Sequence, residues 1–148
     1  MIERYLNLSR ILGDQNSALL FGPRGTGKTH LIKHFLATRS SALTIDLLDP
    51  REHNRYFLNP AQLIRDVEGA MVEQRDMPLL VCIDEVQKIP QLLDEVHLLL
   101  ARFRGRVQFL LTGSSARKLK RVGVNLLAGR AWTLRLHPFT TLEERRDP

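Results

Sequence analysis

The stretch GPRGTGKT, Gly22–Thr29, matches the pattern G-x-x-x-x-G-K-[ST]. Its residue types suit one task, the holding of a chain of phosphates. Gly22, Gly25 and Gly27 let the backbone wrap so that successive N–H groups point inward at an anion. A helix starting near Gly27 adds its positive N-terminal end to the same site. Lys28 is then placed to reach the β- and γ-phosphates, and the Thr29 hydroxyl to hold Mg²⁺. The expected nucleotide-contacting set is Gly22, Pro23, Arg24, Gly25, Thr26, Gly27, Lys28, Thr29 and His30.

A second constellation lies in LLVCIDEVQKIP, Leu79–Pro90. Asp84 ends an apolar strand-like run, where its carboxylate would meet the Mg²⁺ through water. Glu85 comes next, points elsewhere, and can orient and deprotonate an attacking water. A phosphate loop with a lone Asp would serve a kinase or a switch equally well; the added glutamate argues for hydrolysis, because water needs a base. The alternative for one of the two acids is an N-cap of the helix that begins near Pro90. The run VQFLLT then leads into GSSARKLK. Thr112 and Ser114 are the candidates for a polar group near the γ-phosphate, Ser114 preferred, although Ser is also an ordinary loop and cap residue. Farther on, LLAGR brings Arg130 to the phosphate edge of the sheet but pointing outward, toward a neighbouring copy's nucleotide or toward a local salt bridge. Arg117 and Arg121 are its substitutes.

These residues need elements to carry them. Strand-like runs occur at Ser17–Phe21, Ala42–Leu47, Leu79–Asp84, Val107–Thr112 and Trp132–Leu136. Three are near-continuously apolar, as strands covered on both faces are. Helical spacing appears over Gly27–Thr38, Pro60–Gln74, Ile89–Phe103 and, more brokenly, Ser114–Ala128, with a short amphipathic helix at Met1–Leu12. Strands alternating with helices predict a parallel α/β sheet with right-handed crossovers. The tail LHPFTTLEERRDP reads as the approach to a further helix.

Composition narrows the class. The 148 residues, 43% hydrophobic and 26% charged, suit one soluble globular domain with a real core. No apolar run is long enough to cross a bilayer, and the charged start MIERYLNLSR lacks the apolar stretch of a signal peptide. The single cysteine, Cys82, excludes an internal disulfide and suits a reducing, cytoplasmic compartment. Charge is uneven: Met1–Glu95 carries 11 Lys/Arg against 13 Asp/Glu, whereas Val96–Leu142 carries nine Lys/Arg and no acid. That block is a candidate nucleic-acid or polyanion surface, or simply a solvated face.

Together GPRGTGKT, LLVCIDEVQKIP, FLLTGSSARKLK and LLAGRAWTLRLHPFT resemble the AAA+ superfamily, and more narrowly the AAA_14-type ATPases of bacteria and archaea that often carry a DUF4143 domain. The resemblance spans nearly the whole chain. It implies a P-loop NTPase three-layer sandwich, five parallel strands in the order 5-1-4-3-2, with ATP at their C-terminal edge. It implies Lys28 and Thr29 in the Walker A loop, Asp84 and Glu85 as Walker B, Ser114 or Thr112 as sensor 1, and Arg130 as an arginine finger between subunits. It also implies a helical lid and a downstream domain, for which 1–148 leaves no room. The competing readings are a nucleotide-holding switch with little turnover, a small-molecule kinase, and a DNA-associated ATPase.

Overall fold

The computed structural model describes residues 17–22, 28–37, 39, 42–73, 78–114, 131–136 and 142–146, with 28–29 and the last two ranges described in backbone only. The strands are β1 (Ser17–Phe21), β2 (Ala42–Asp46), β3 (Leu79–Asp84), β4 (Val107–Gly113), β5 (Ala131–Leu136) and β6 (Leu142–Arg146). The helices are α1 (Lys28–Leu36), α2 (Pro50–Leu58), α3 (Gln62–Glu73) and α4 (Leu92–Arg102), with a 3-10 turn over Val86–Lys88. The expected helices at Met1–Leu12 and Ser114–Ala128 fall almost wholly outside the described residues.

One sheet holds the six strands in the order β2-β3-β4-β1-β5-β6. Pairings among β1 to β5 are all parallel, so the five expected strands stand in the expected order. Strand β6 is the correction: it pairs antiparallel with β5, making the sheet six-stranded where the sequence suggested five and a further helix. LEERR is composed of good helix formers, but pairing along an open sheet edge outweighs so weak a local preference. The register also sets Glu143 opposite Arg135.

Alternation along the strands builds two cores. Phe21, Val81, Ile83, Phe109 and Leu111 turn to one face, where Leu63 and Val67 of α3 and Val96 of α4 join them. Leu20, Leu80, Cys82 and Leu110 turn to the other, packing on Leu31 and Phe35 of α1. The right-handed rule gives the same layering. The β1–β2 crossover runs one way along the sheet and later crossovers run back, so their helices must lie on opposite faces. Even the buried hydroxyl of Ser17 is used, accepting the Phe109 N–H at 2.9 Å to join β1 to β4.

Helix α2 was not anticipated. Its stop and start signals were present in DP: Asp49 is an extended N-cap whose carboxylate accepts the Arg51 N–H, and Pro50 opens the helix, where its missing N–H costs nothing. That backbone hydrogen bond, then the Arg51 side chain, holds the Asp49 carboxyl below its ordinary value. Weak apolar periodicity hid the element. Only Tyr56 of α2 is buried, and it is fastened to α3 through Asp66, which accepts from the Tyr56 hydroxyl, from Arg55 at 2.6 Å and from Gln62 at 3.1 Å.

Candidate functional site

The C-terminal ends of β1, β4 and β3 lie side by side, because β4 sits between the other two. Ligands of open α/β sheets bind at that edge, where crossovers diverge. Gly22 leaves β1 with its N–H on the Gly113 carbonyl at 3.2 Å, so the start of the glycine-rich segment is tied to the exit of β4. Helix α1 begins at Lys28, in agreement with the expected loop-to-helix junction, and His30 is exposed in its first turn. Pro23–Gly27 and the side chains of Lys28 and Thr29 lie outside the described residues, as do Arg117, Arg121 and Arg130.

Asp84 ends β3 opposite Asp46 of β2. It is half-buried and lines a groove with Ile32, Lys33, Asp46, Glu52 and Cys82. Thr112, fully buried on β4, fixes this strand end with one hydroxyl. Its Oγ1 donates to Asp84 Oδ1 and accepts the Glu85 N–H at 3.0 Å. Thr112 is therefore spent on the two acids, whereas Ser114 lies half-buried beyond the strand end.

Glu85 itself is bent away from the strand. With φ 62° and ψ 50° it occupies the left-handed region, and it is the only non-glycine residue with positive φ among the described residues. Such a conformation costs about 1–3 kcal/mol and is kept where the surroundings demand it. The bend drives the side chain inward to 5% exposure. There its carboxylate accepts from Gln87 Nε2. Glu85 precedes the 3-10 turn without a capping side-chain hydrogen bond, and the N-cap of α4 is Gln91, so neither acid caps the helix that follows Pro90. Helix α4 begins later than expected, at Leu92, because that turn intervenes.

Residues 14–144 match the model of the AAA domain family AAA_14. The chain belongs to this family. No curated protein matches it. Among solved structures, the Aeropyrum pernix Orc1 protein in complex with DNA aligns with a TM-score of 0.64 at 14% identity, over 92% of this chain and 44% of that one. C. elegans PCH-2 aligns with a TM-score of 0.56 at 22% identity, over 87% of this chain and 37% of that one. At such identity the likeness is one of fold, an α/β P-loop-like sheet, and this AAA domain spans less than half of either structure.

Within the AAA domain, Asp84, Glu85, Thr112 and Ser114 are brought together at the adjacent ends of β3 and β4. Gln87, which follows the acidic pair in LLVCIDEVQKIP, bridges Glu85 and, at 3.4 Å, Ser114 Oγ. A long polar residue two positions after a candidate base was the available signal. Two arginines of the acid-free block are engaged by the fold: Arg102 lies 3.9 Å from Glu68, and Arg106 sits over the Phe103 ring. Cys82 is buried, and burial, then the Asp84 charge, pushes its thiol up to about 12. Among the described residues no helix is long and apolar enough to cross a membrane.

Proposed function

We propose that this AAA domain binds ATP with Mg²⁺ and hydrolyses it. The observation that carries the reading is the single Thr112 hydroxyl that anchors both Asp84 and the Glu85 backbone, holding two carboxylates in different environments at the sheet edge where Gly22 leaves β1. Asp84 borders the open groove; Glu85 is turned into the protein at an energetic cost. Strain retained at one acidic residue is what a positioned base would explain.

In this reading the backbone amides of Gly22–Gly27 and the amino group of Lys28 bind the phosphates, and His30 lies at the rim. Thr29 and Asp84 offer hard oxygen donors, the type Mg²⁺ prefers, and only one Asp84 oxygen is given to Thr112. The ion, when bound, would neutralise charge on the β- and γ-phosphate oxygens. Glu85 takes a proton from water, the water oxygen bonds to the γ-phosphorus as the bond to the β,γ-bridging oxygen breaks, ADP and inorganic phosphate leave, and Glu85 returns the proton to solvent. Ser114 donates to a γ-phosphate oxygen. Arg130 reaches the nucleotide of a neighbouring copy, where it offsets transition-state charge.

The test is steady-state ATP hydrolysis with Mg²⁺, comparing the parent with Glu85→Gln across protein concentration. Turnover that the substitution removes while ATP still binds is the expected result. Equal turnover in both would remove Glu85 as base, and binding without parental turnover would favour a nucleotide-holding switch. A DNA-associated ATPase is the second reading, drawn from the nine Lys/Arg and no acid of 96–142. DNA binding that weakens steeply with salt would support it.

A further inference from the structure

Gln87 occupies the middle of the 3-10 turn, between Val86 and Ile89, which are 0% and 1% exposed. Backbone hydrogen bonds close the turn around it: Lys88 N–H to the Glu85 carbonyl at 3.0 Å and Ile89 N–H to the Val86 carbonyl at 3.1 Å. The backbone at Gln87 is thus set by this turn and by the buried residues on either side of it. The two N–H groups of Nε2 are aimed at two of the candidate functional side chains, the Glu85 carboxylate and Ser114 Oγ.

The other end of the amide explains why this is more than a tether. Gln87 Oε1 is buried and has no hydrogen-bond partner, an arrangement that ordinarily calls for a reason. Rotating the amide would set its carbonyl against the Glu85 carboxylate, acceptor against acceptor. The donors are therefore kept on Glu85 and Ser114 at the expense of the carbonyl. The chain also makes room for that carbonyl. A Cβ on Gly113 would lie 2.8 Å from Oε1 and 3.0 Å from the Phe21 ring. Glycine at 113, at the exit of β4, is what lets the amide lie there.

We propose that Gln87 is a positioning residue: it ties the Glu85 carboxylate to Ser114, so that what Ser114 touches sets where Glu85 points. This rests on the hydrolytic reading above. Ser114 Oγ accepts from Gln87 and keeps its own proton to give. A phosphate oxygen accepting a hydrogen bond from that hydroxyl polarises it and makes Ser114 Oγ a stronger acceptor for the shared amide. The pull is delivered to Glu85, the other partner of the same nitrogen. Presence of a terminal phosphate is thereby transmitted to the base through one side chain.

Gln87→Met keeps length and bulk but removes both donors. The expected result is a fall in kcat of roughly tenfold or more, with ATP affinity and the unfolding midpoint unchanged. In a Glu85→Gln background the same change should have no further effect on residual turnover, because paired residues acting as a unit are not additive. Parental kcat in Gln87→Met, or a loss matched by equal loss of affinity or stability, would overturn the proposal. A second measurement needs no turnover. The side-chain amide resonance of Gln87, assigned by its absence in Gln87→Met, should move on adding ATPγS and stay in place on adding ADP, and Ser114→Ala should erase that difference. A resonance that responds alike to both nucleotides overturns the inference. Failure of the hydrolytic reading shows separately, as turnover surviving Glu85→Gln or as none in the parent.

Discussion

Thr112 and Asp84 share a hydrogen bond between adjacent strands, the buried hydroxyl of β4 donating to the carboxylate that ends β3. The same oxygen receives the Glu85 N–H, so a single side chain fixes the strand end and the bend that follows it. Thr112→Val retains shape and removes both interactions. It strands a buried N–H, at a cost of about 1–3 kcal/mol. We expect lowered denaturant stability together with lost turnover, and recovery of both in Thr112→Ser. A Thr112→Val protein as stable and active as the parent would mean that the hydroxyl positions nothing.

The left-handed backbone of Glu85 predicts an opposition between stability and activity. Asparagine tolerates this region better than glutamate does, and replacing the acid also removes a largely buried carboxylate. Glu85→Asn should therefore keep or raise the thermal midpoint while ending hydrolysis. Calorimetry decides the point: a clear fall in midpoint would show that the carboxylate contributes more to folding than the bend costs.

Gly113 tests the packing beneath Gln87. Alanine there would press on the Gln87 amide and on the Phe21 ring at once. The amide can swing aside but the ring, in the core, cannot easily do so, and overpacking of this kind costs about 1–3 kcal/mol. Gly113→Ala should lower stability by that amount in urea and reduce turnover through the displaced amide. Turnover equal to that of the parent would separate Gly113 from the Glu85 network.

The legibility of the chain in its sequence follows from the range of the forces involved. Strands β1, β3 and β4 are buried runs whose apolar composition announces them, and the glycine-rich loop and the acidic pair DE are local patterns with a mechanism. Helix α2 was hidden because it buries Tyr56 alone and relies on Asp66, ten residues away, for its anchoring. Strand β6 was hidden because its state depends on the neighbouring β5 edge, a tertiary partner that propensity cannot see. Gln87 was passed over because its meaning lies in Ser114, 27 residues distant.

Asp66 provides the clearest stability prediction outside the site. Its carboxylate, 17% exposed, accepts from Arg55, Tyr56 and Gln62. Burial first, then this hydrogen bond, raises the Tyr56 phenol well above its ordinary value, so it remains a donor at neutral pH. Hydrogen bonds to a charged partner contribute about 1.5–3 kcal/mol, and Asp66→Ala should lose a comparable amount, with Tyr56→Phe losing less. Hydrogen exchange should localise the damage to α2, which has few other buried contacts. Uniform loss of protection across the sheet would show instead that α2 and the core unfold as one unit.

Cys82 supplies an internal reporter for the groove beside Asp84. Its thiol is 3% exposed and faces α1 across the sheet, and its proton is held tightly enough that little thiolate exists near neutral pH. An alkylating or disulfide reagent at about pH 8 should therefore label the folded protein far more slowly than the protein in denaturant. The sign follows from the shift: the unfolded thiol ionises near 9 and the folded one near 12, so this group favours the folded state fully below 9 and loses that contribution as pH rises toward 12. Binding of nucleotide against α1 should slow labelling further, by lowering the population of open states. Labelling as fast in the native protein as in denaturant would mean that α1 separates from β3 more readily than the packing of Leu31 and Phe35 implies.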